Sequence, residues 1–332
     1  MADMIAAQAR ALYDDALVWD MTLPWLPNYC DEETLPRFHR AGIGVISLTV
    51  GGDKSIGPTV AMQQIAHVNR QVAAHPDELV VARSVAEIRA ARKAGKTALL
   101  FHLQGTNPLA HDAGLVEVFY SMGVRHMLLA YNEKNFVGDG CAERTDAGLS
   151  RFGIEVIREM NRVGMLVDGT HTGYRTTMEA MEVCEGPFIF SHSNPLGVFD
   201  HYRNIRDDQI KACAKSGGVI GINGLGAFIG DVEALPQTMF RHIDYVAQLV
   251  GAQHVGIGLD FVRDHVAFWK YVFKAKSMWP ENAGKPHEVT KFVQPEQLVD
   301  LADLMLKKGY AEADVRGVLG ENFARVCEAV WR

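Results

Sequence analysis

An alternation that recurs eight times along the chain constrains its fold more than any other feature. Short apolar runs rich in Val and Ile, each bounded by glycine or polar residues, appear as LVWDMTL (17–23), GIGVISLTV (42–50), TALLFHL (97–103), VRHMLLAY (124–131), GMLVDGTH (164–171), PFIFSHSN (187–194), GGVIGING (217–224) and HVGIGLDF (254–261). Between most of them lie amphipathic stretches such as GPTVAMQQIAHVNRQVAAH, FGIEVIREMNRVG and YRTTMEAMEVCEG. Strands that each return through a helix pair in parallel, and a parallel sheet needs helices to cover it. Eight such units predict a closed (β/α)8 barrel, the TIM-barrel architecture. An open doubly wound sheet is the competitor, but no GxGxxG follows the first run. No Ser/Gly linker or low-complexity tract interrupts the pattern, so residues 1–332 are expected to form a single domain. After the eighth run, WKYVFKAKSMWPENAGKPHEVTKF has no clear period and reads as a long loop or partial lid before final helices from Pro295 onward.

With 48% hydrophobic and 22% charged residues over 332 positions, the chain can bury a large core. Its net charge of −7 is spread along the sequence without a basic block, which argues against nucleic acid and for a small-molecule partner. Cys30, Cys141, Cys184, Cys213 and Cys327 are scattered and form no CxxC, so neither a disulfide framework nor a thiolate zinc site is expected. A reducing compartment fits that usage. The opening MADMIAAQARALYDDAL is an amphipathic helix with Asp3, Arg10, Asp14 and Asp15 rather than a signal peptide. No run reaches the roughly 18 apolar residues that span a bilayer. The expectation is a cytoplasmic protein with no membrane partner.

In barrels of this type the active site forms at the C-terminal ends of the strands. Polar residues fall there repeatedly: Asp20 and Thr22 in the first run, His102 and Gln104 at the end of the third, Tyr131 and Asn132, then Asp168 and His171, His192, and Asp260. In TALLFHLQG, His102 and Gln104 are two apart and share a face. Taken singly, each has an ordinary explanation. His171 could cap the helix that begins near Tyr174, and His192 could be a turn residue beside Ser191 and Ser193. Asp168 reads as a hydrogen-bond acceptor behind a ligand or at a helix start. Asp260 ends an otherwise apolar run, where an unpaired carboxylate is costly unless a cation or hydrogen-bond network meets it. Together, histidines and carboxylates at one mouth point to a functional site, and the set suits zinc, manganese or iron. Tyr13, Phe119, Met178 and Met181 are expected in the core.

At VDGTH, FSHSN, HYRNIRDDQIKACAKSGGVIGING, HVGIGLDF and GENFARV the sequence resembles, in the correct order and over nearly its whole length, the renal (membrane) dipeptidase family, the M19 peptidases of the amidohydrolase superfamily. The resemblance implies a homodimeric barrel that carries two zinc ions joined by a bridging carboxylate and cleaves dipeptides. His171 and His192 stand where the family has two histidine metal ligands. Asp260 stands at its proton-shuttling aspartate, and Arg203 at the arginine that grips the substrate carboxylate, a role suited to a bidentate guanidinium. Three positions depart: the family's first-strand HxD is Asp20-Met21-Thr22, its bridging Glu is Gln104 before Gly105, and its strand-four His is Tyr131. A neutral amide cannot bridge two cations as a carboxylate does. Asp20, Asp260 and a hydroxide leave negative charge for one divalent ion rather than two.

The expectation is therefore a metal-dependent hydrolase acting on an amide bond in a small carboxylate-bearing substrate. One divalent ion, zinc by preference, would sit on His171 and His192, completed from Gln104, Asp20, Asp260 or, from deeper in the barrel, His102. Asp260 and Tyr131 would be catalytic, and Arg203, Tyr131 and Asn132 would bind substrate. The alternatives are a different hydrolytic or lytic reaction on a non-peptide molecule, and a metal-poor binding protein on the same scaffold.

Overall fold

A computed structural model describes residues 2–25, 33–280 and 289–332. Its nine strands are β1 (Trp19–Leu23), β2 (Val45–Gly52), β3 (Leu79–Val81), β4 (Thr97–Gln104), β5 (Val124–Leu128), β6 (Leu166–Asp168), β7 (Ile189–Phe190), β8 (Val219–Ile222) and β9 (Val255–Ile257). All pairings are parallel, in the order β1-β2-β4-β5-β6-β7-β8-β9, with helices outside, which makes a nearly closed (β/α)8 barrel. The seam between β9 and β1 is drawn together just past the strand, where the Asp260 amide donates to the Thr22 carbonyl (3.1 Å) and the Leu259 amide to Asp20 Oδ1 (2.8 Å).

The eight expected runs all contribute to this sheet. The ninth strand, β3, pairs with the first half of β4 (Leu79↔Thr97 to Val81↔Leu99), while β5 takes the second half from Phe101 on. Three residues are too few to show a period, so LVV carries no sequence signal. Several strands are shorter than their runs. β7 is two residues of PFIFSHSN, and β6 stops at Asp168, so His171, His192 and Asp260 lie on loops beyond the strands.

Local chemistry explains the helices. Arg151–Val163 starts where Ser150 Oγ accepts from the Gly153 amide (2.9 Å) and stops at Gly164, whose φ of 83° is the left-handed conformation glycine adopts freely. Its buried face of Val156, Ile157 and Met160 packs into a core that also holds Tyr13 and Phe119. Met178 and Met181 are only half-buried. The segment after β9 corrects the expectation of an aperiodic loop. His265–Lys274 is a helix capped by Asp264, whose Oδ1 accepts from the Ala267 amide (2.9 Å). Apolar residues on most sides of HVAFWKYVFK hide its period: Trp269 and Val272 are buried, whereas Val266 and Phe273 are exposed. Residues 281–288 of the expected lid, like Cys30, lie outside the described residues.

Candidate active site

Three backbone outliers mark the mouth of the barrel. Asn132, His171 and Asp260 adopt φ values of 60°, 63° and 54°, a region that costs a side-chain-bearing residue energy and persists only where surrounding contacts enforce it. The Asn132 amide donates to the His171 carbonyl (3.2 Å), which also accepts from the Cys141 amide (2.8 Å). The loops after β5 and β6 are thereby locked to each other. His171 does not cap the helix Tyr174–Val183, whose N-cap is Gly173.

The two imidazoles converge. His171 Nε2 and His192 Nε2 are 3.1 Å apart, and both rings are buried. Burial, then the charge of Arg203, holds both well below the ordinary histidine pKa, so they are neutral. Behind His192, Nδ1 faces Ser191 Oγ (2.8 Å) and Thr22 Oγ1 (2.9 Å), while the Thr22 hydroxyl donates to the Met21 carbonyl (2.7 Å). Thr22 thus orients an imidazole. On the other side, His171 Nδ1 lies 2.6 Å from Asn132 Oδ1 and 3.0 Å from Arg203 Nε. The Arg203 guanidinium also donates to Ser193 Oγ (3.3 Å) and the His192 carbonyl (2.9 Å).

The carboxylates stand nearby but are turned elsewhere. Asp20 Oδ1 accepts from the Leu259 and Thr22 amides, and its Oδ2 is buried without a partner. Burial pushes the Asp20 pKa up to about 8, with the two amides opposing and Asp260 adding to the rise. Asp260 accepts from Asn223 Nδ2 (3.1 Å), and burial lifts it to about 7 against the pull of Arg203, Asn223 and Lys54. The Gln104 amide nitrogen is buried and unpartnered. Among the described residues, no group of three or more His, Cys, Asp or Glu side chains is gathered to hold an ion. The structure therefore brings together His171 and His192 but not the wider set with Asp20, Gln104 and Asp260.

His102 lies one layer below. Its Nδ1 meets Ser47 Oγ (3.0 Å) and its Nε2 meets Thr49 Oγ1 (2.9 Å), so hydroxyls occupy both nitrogens. It stacks at 4.5 Å on His126, which reaches Ser47 Oγ (2.9 Å) and Asp168 Oδ2 (3.1 Å). Burial pushes the Asp168 carboxyl up, but His126 first, and then the Ser191 and Thr170 amides that also donate to it, outweigh burial and keep it below the usual value. Sequence reasoning missed His126, because a register shift between Val124 and His126 breaks the alternation along the fourth run, and only the pairing His102↔His126 shows that it faces the same way as His102.

Two further contributors went unread. Asp53, after β2, accepts from the Tyr131 amide (2.9 Å) and Asn135 Nδ2 (2.8 Å), and a Cβ at Gly105 would fall 2.2 Å from its Cγ. That close approach, at a φ of 127°, explains the glycine after Gln104. Lys54 lies over the Tyr271 ring (4.2 Å), and desolvation lowers its pKa to about 8 against the charge of Asp260.

Aromatic rings cover the mouth. Tyr131 stacks on His171 at 4.0 Å, Trp279 stands edge-on to both, and the Met278 carbonyl accepts from Asn132 Nδ2 (2.8 Å). Beside them a cavity of about 390 Å³ reaches His171 and Arg203 past Cys141, Tyr202 and Arg206, a size suited to a small molecule.

Two neutral nitrogens bound to one zinc-like ion at about 2.0–2.1 Å each can be no more than about 4.2 Å apart. The pair at 3.1 Å fits one ion, and the unpartnered Asp20 Oδ2 shows further buried polarity at the mouth. Residues 42–281 match the model of a family described as membrane dipeptidase (peptidase family M19). Dipeptidase verJ of Clonostachys rogersoniana is 30% identical over 81% of this chain and 64% of its own length, so the match spans less than two thirds of that relative. An uncharacterised dipeptidase of Schizosaccharomyces pombe is 30% identical over 96% of this chain and 76% of its own. The crystal structure of an amidohydrolase from Pseudomonas aeruginosa superposes with a TM-score of 0.86 at 30% identity, covering 97% of this chain and 99% of that one.

Proposed function

Because the chain belongs to the membrane dipeptidase family, peptidase family M19, we propose that it hydrolyses the amide bond of a small, carboxylate-bearing, dipeptide-like substrate. The observation that carries the reading is the pair of neutral imidazoles, 3.1 Å apart, with a buried guanidinium against one of them. His171 and His192 would hold one divalent ion, zinc by preference, which supplies Lewis acidity to activate water and polarise the scissile carbonyl. Asp20, Gln104 and Asp260 stay outside that pair.

The protein's own groups do the rest. Arg203 neutralises the substrate carboxylate with a planar two-pronged donor. Asp260, with a pKa near 7, takes a proton from the attacking water at its carboxylate oxygen and returns it to the leaving nitrogen. Tyr131, whose hydroxyl burial keeps protonated, donates to the developing oxyanion. Asn132 fixes the floor of the substrate site, and Trp279 with Tyr131 excludes bulk water.

One barrel domain over residues 1–332 belongs to the same proposal, supported by a core that draws on Ala9 through Leu319. So does a cytoplasmic homodimer. Cys141, Cys184, Cys213 and Cys327 are free thiols, which suits a reducing compartment, and no described helix is long and apolar enough to cross a membrane. The dimer rests on the family alone, and light scattering tests it.

The test is kcat/KM over a dipeptide panel, with zinc or manganese added and then chelated. Ion-dependent hydrolysis is expected, below the roughly 10⁴–10⁸ M⁻¹s⁻¹ of working enzymes for ordinary dipeptides, because the bridging carboxylate and the strand-four His are replaced. No turnover and no ion uptake would leave a binding protein on this scaffold.

A further inference from the structure

The two ends of a free dipeptide need opposite partners: its carboxylate a cation, its α-ammonium an anion or an open ring face. Arg203 provides for the carboxylate. Among the described residues at the ends of β1, β2 and β4, nothing provides for the ammonium.

A lysine stands there instead. Gly52 pairs with Gln104, and the Asp53 amide donates to the Gln104 carbonyl (3.2 Å), which sets Lys54 beside Gln104. Lys54 is desolvated by the protein around it and is still exposed, as befits a side chain that lines a water-filled cleft. Its charge acts on both Asp260 and His171, so it faces the mouth. Gln104 brings no negative charge in either orientation of its amide. Asp20 is fully buried, with Oδ1 held by the Leu259 and Thr22 amides. Asp260 already has Arg203 and Lys54 to balance it. The ring faces are taken as well: Lys54 lies over Tyr271 (4.2 Å), Arg203 over Phe228 (5.4 Å), and His171 stacks on Tyr131 (4.0 Å). Glu143, Asp146 and Asp200 line the cavity at Arg203, the carboxylate end. A second ammonium near Lys54 meets a like charge, and an ion on the histidine pair adds more of the same sign.

We infer that the acyl half of the substrate carries no ammonium: the protein acts on N-acyl amino acids, and Lys54 is the specificity-determining residue that excludes free dipeptides. The inference rests on the hydrolase reading above and narrows its substrate. Water adds to the acyl carbon, the C–N bond breaks, and the leaving nitrogen takes the proton, so the products are a carboxylic acid and a free amino acid.

Propionyl-alanine and glycyl-alanine test this, because they are isosteres in which a methyl group replaces the ammonium. With the full chain and added zinc at pH 6.5, where Lys54 keeps its proton because its pKa is about 8, kcat/KM should be at least about 10-fold higher for propionyl-alanine, in whichever alanine enantiomer is accepted. Lys54→Met should shrink that ratio and Lys54→Glu should reverse it, whereas a merely structural lysine would lower both substrates together. Glu133→Gln, which removes an acid near Tyr271, should leave the ratio unchanged. Calorimetry on the ion-free chain gives a second readout, in which propionyl-alanine should bind more tightly than glycyl-alanine and Lys54→Glu should invert the order. A parent that prefers glycyl-alanine, or a ratio that Lys54→Glu leaves alone or Glu133→Gln raises, overturns the inference and leaves the hydrolase reading standing. Preferential binding of propionyl-alanine with turnover of neither compound overturns the hydrolase reading and keeps the role of Lys54. Neither binding nor turnover of the pair overturns both.

Discussion

Arg203 is buried among polar partners, so its replacement removes structural contacts as well as a substrate-facing charge, and its role is read in KM on the folded variant. It is 2% exposed, and its guanidinium donates to the histidine pair and to the neighbouring Ser193. Arg203→Met should weaken substrate binding by about 2–4 kcal/mol, seen as a raised KM, because a charged partner loses a bidentate contact. An unchanged KM across every active substrate would remove Arg203 from the substrate site. The carboxylates make a prediction of opposite character. Asp20 and Asp260 hold protons in the folded chain up to about pH 8 and 7, whereas the unfolded chain releases them near the ordinary value of 3.8. Their contribution to stability is complete below that value and is lost as pH rises through 7 and 8, at about 1.4 kcal/mol per unit for each proton. Ion-free protein should accordingly have a lower urea midpoint at pH 8 than at pH 5.5, and Asp20→Asn should flatten the difference. At this scale the sequence was legible wherever a residue broke an apolar run. His171, His192 and Asp260 stood out for that reason, but the direction in which Asp20 and Asp260 turn depends on partners such as Asn223 and Leu259, which no local pattern shows.

Elements were legible in kind more than in extent. The apolar runs predicted all eight barrel strands, but a run marks what is buried, and loop residues such as Gly169 and Ser191 are as buried as the strands that feed them. Hence β6 and β7 end early, and the site rides on loops. The β5 partner of His102 was hidden for a related reason. A histidine inside a hydrophobic run looks like an isolated polar residue until its neighbour on the next strand is known, and His102 meets His126 across the β4–β5 ladder. That interior row should behave as one unit. Asp168→Asn should destabilise the barrel by about 1–3 kcal/mol in urea denaturation, since it leaves buried donors of His126, Thr170 and Ser191 without their carboxylate. A loss under about 1 kcal/mol, the scale of an ordinary hydrogen bond, would show that the row is assembled but not interdependent.

The whole molecule was the most legible level, because strand-helix alternation leaves few topologies open once parallel pairing is required. What alternation cannot convey is how the barrel closes. Its two end strands are joined where the Leu259 and Asp260 amides, just past β9, reach Asp20 and Thr22 of β1. A single ion per chain is the expectation for this molecule, and native mass spectrometry with elemental analysis should find one or none. Two tightly held ions would mean that a group outside the histidine pair has taken the bridging role. The joint also makes an internal gauge. If occupancy of the mouth stiffens the loops on either side, the Leu259 and Asp260 amides should exchange their hydrogens with solvent more slowly when the site is filled, while amides of the β4–β5 wall opposite keep their rate. Two backbone positions would then report, without any label or substrate, how often an empty barrel comes unfastened.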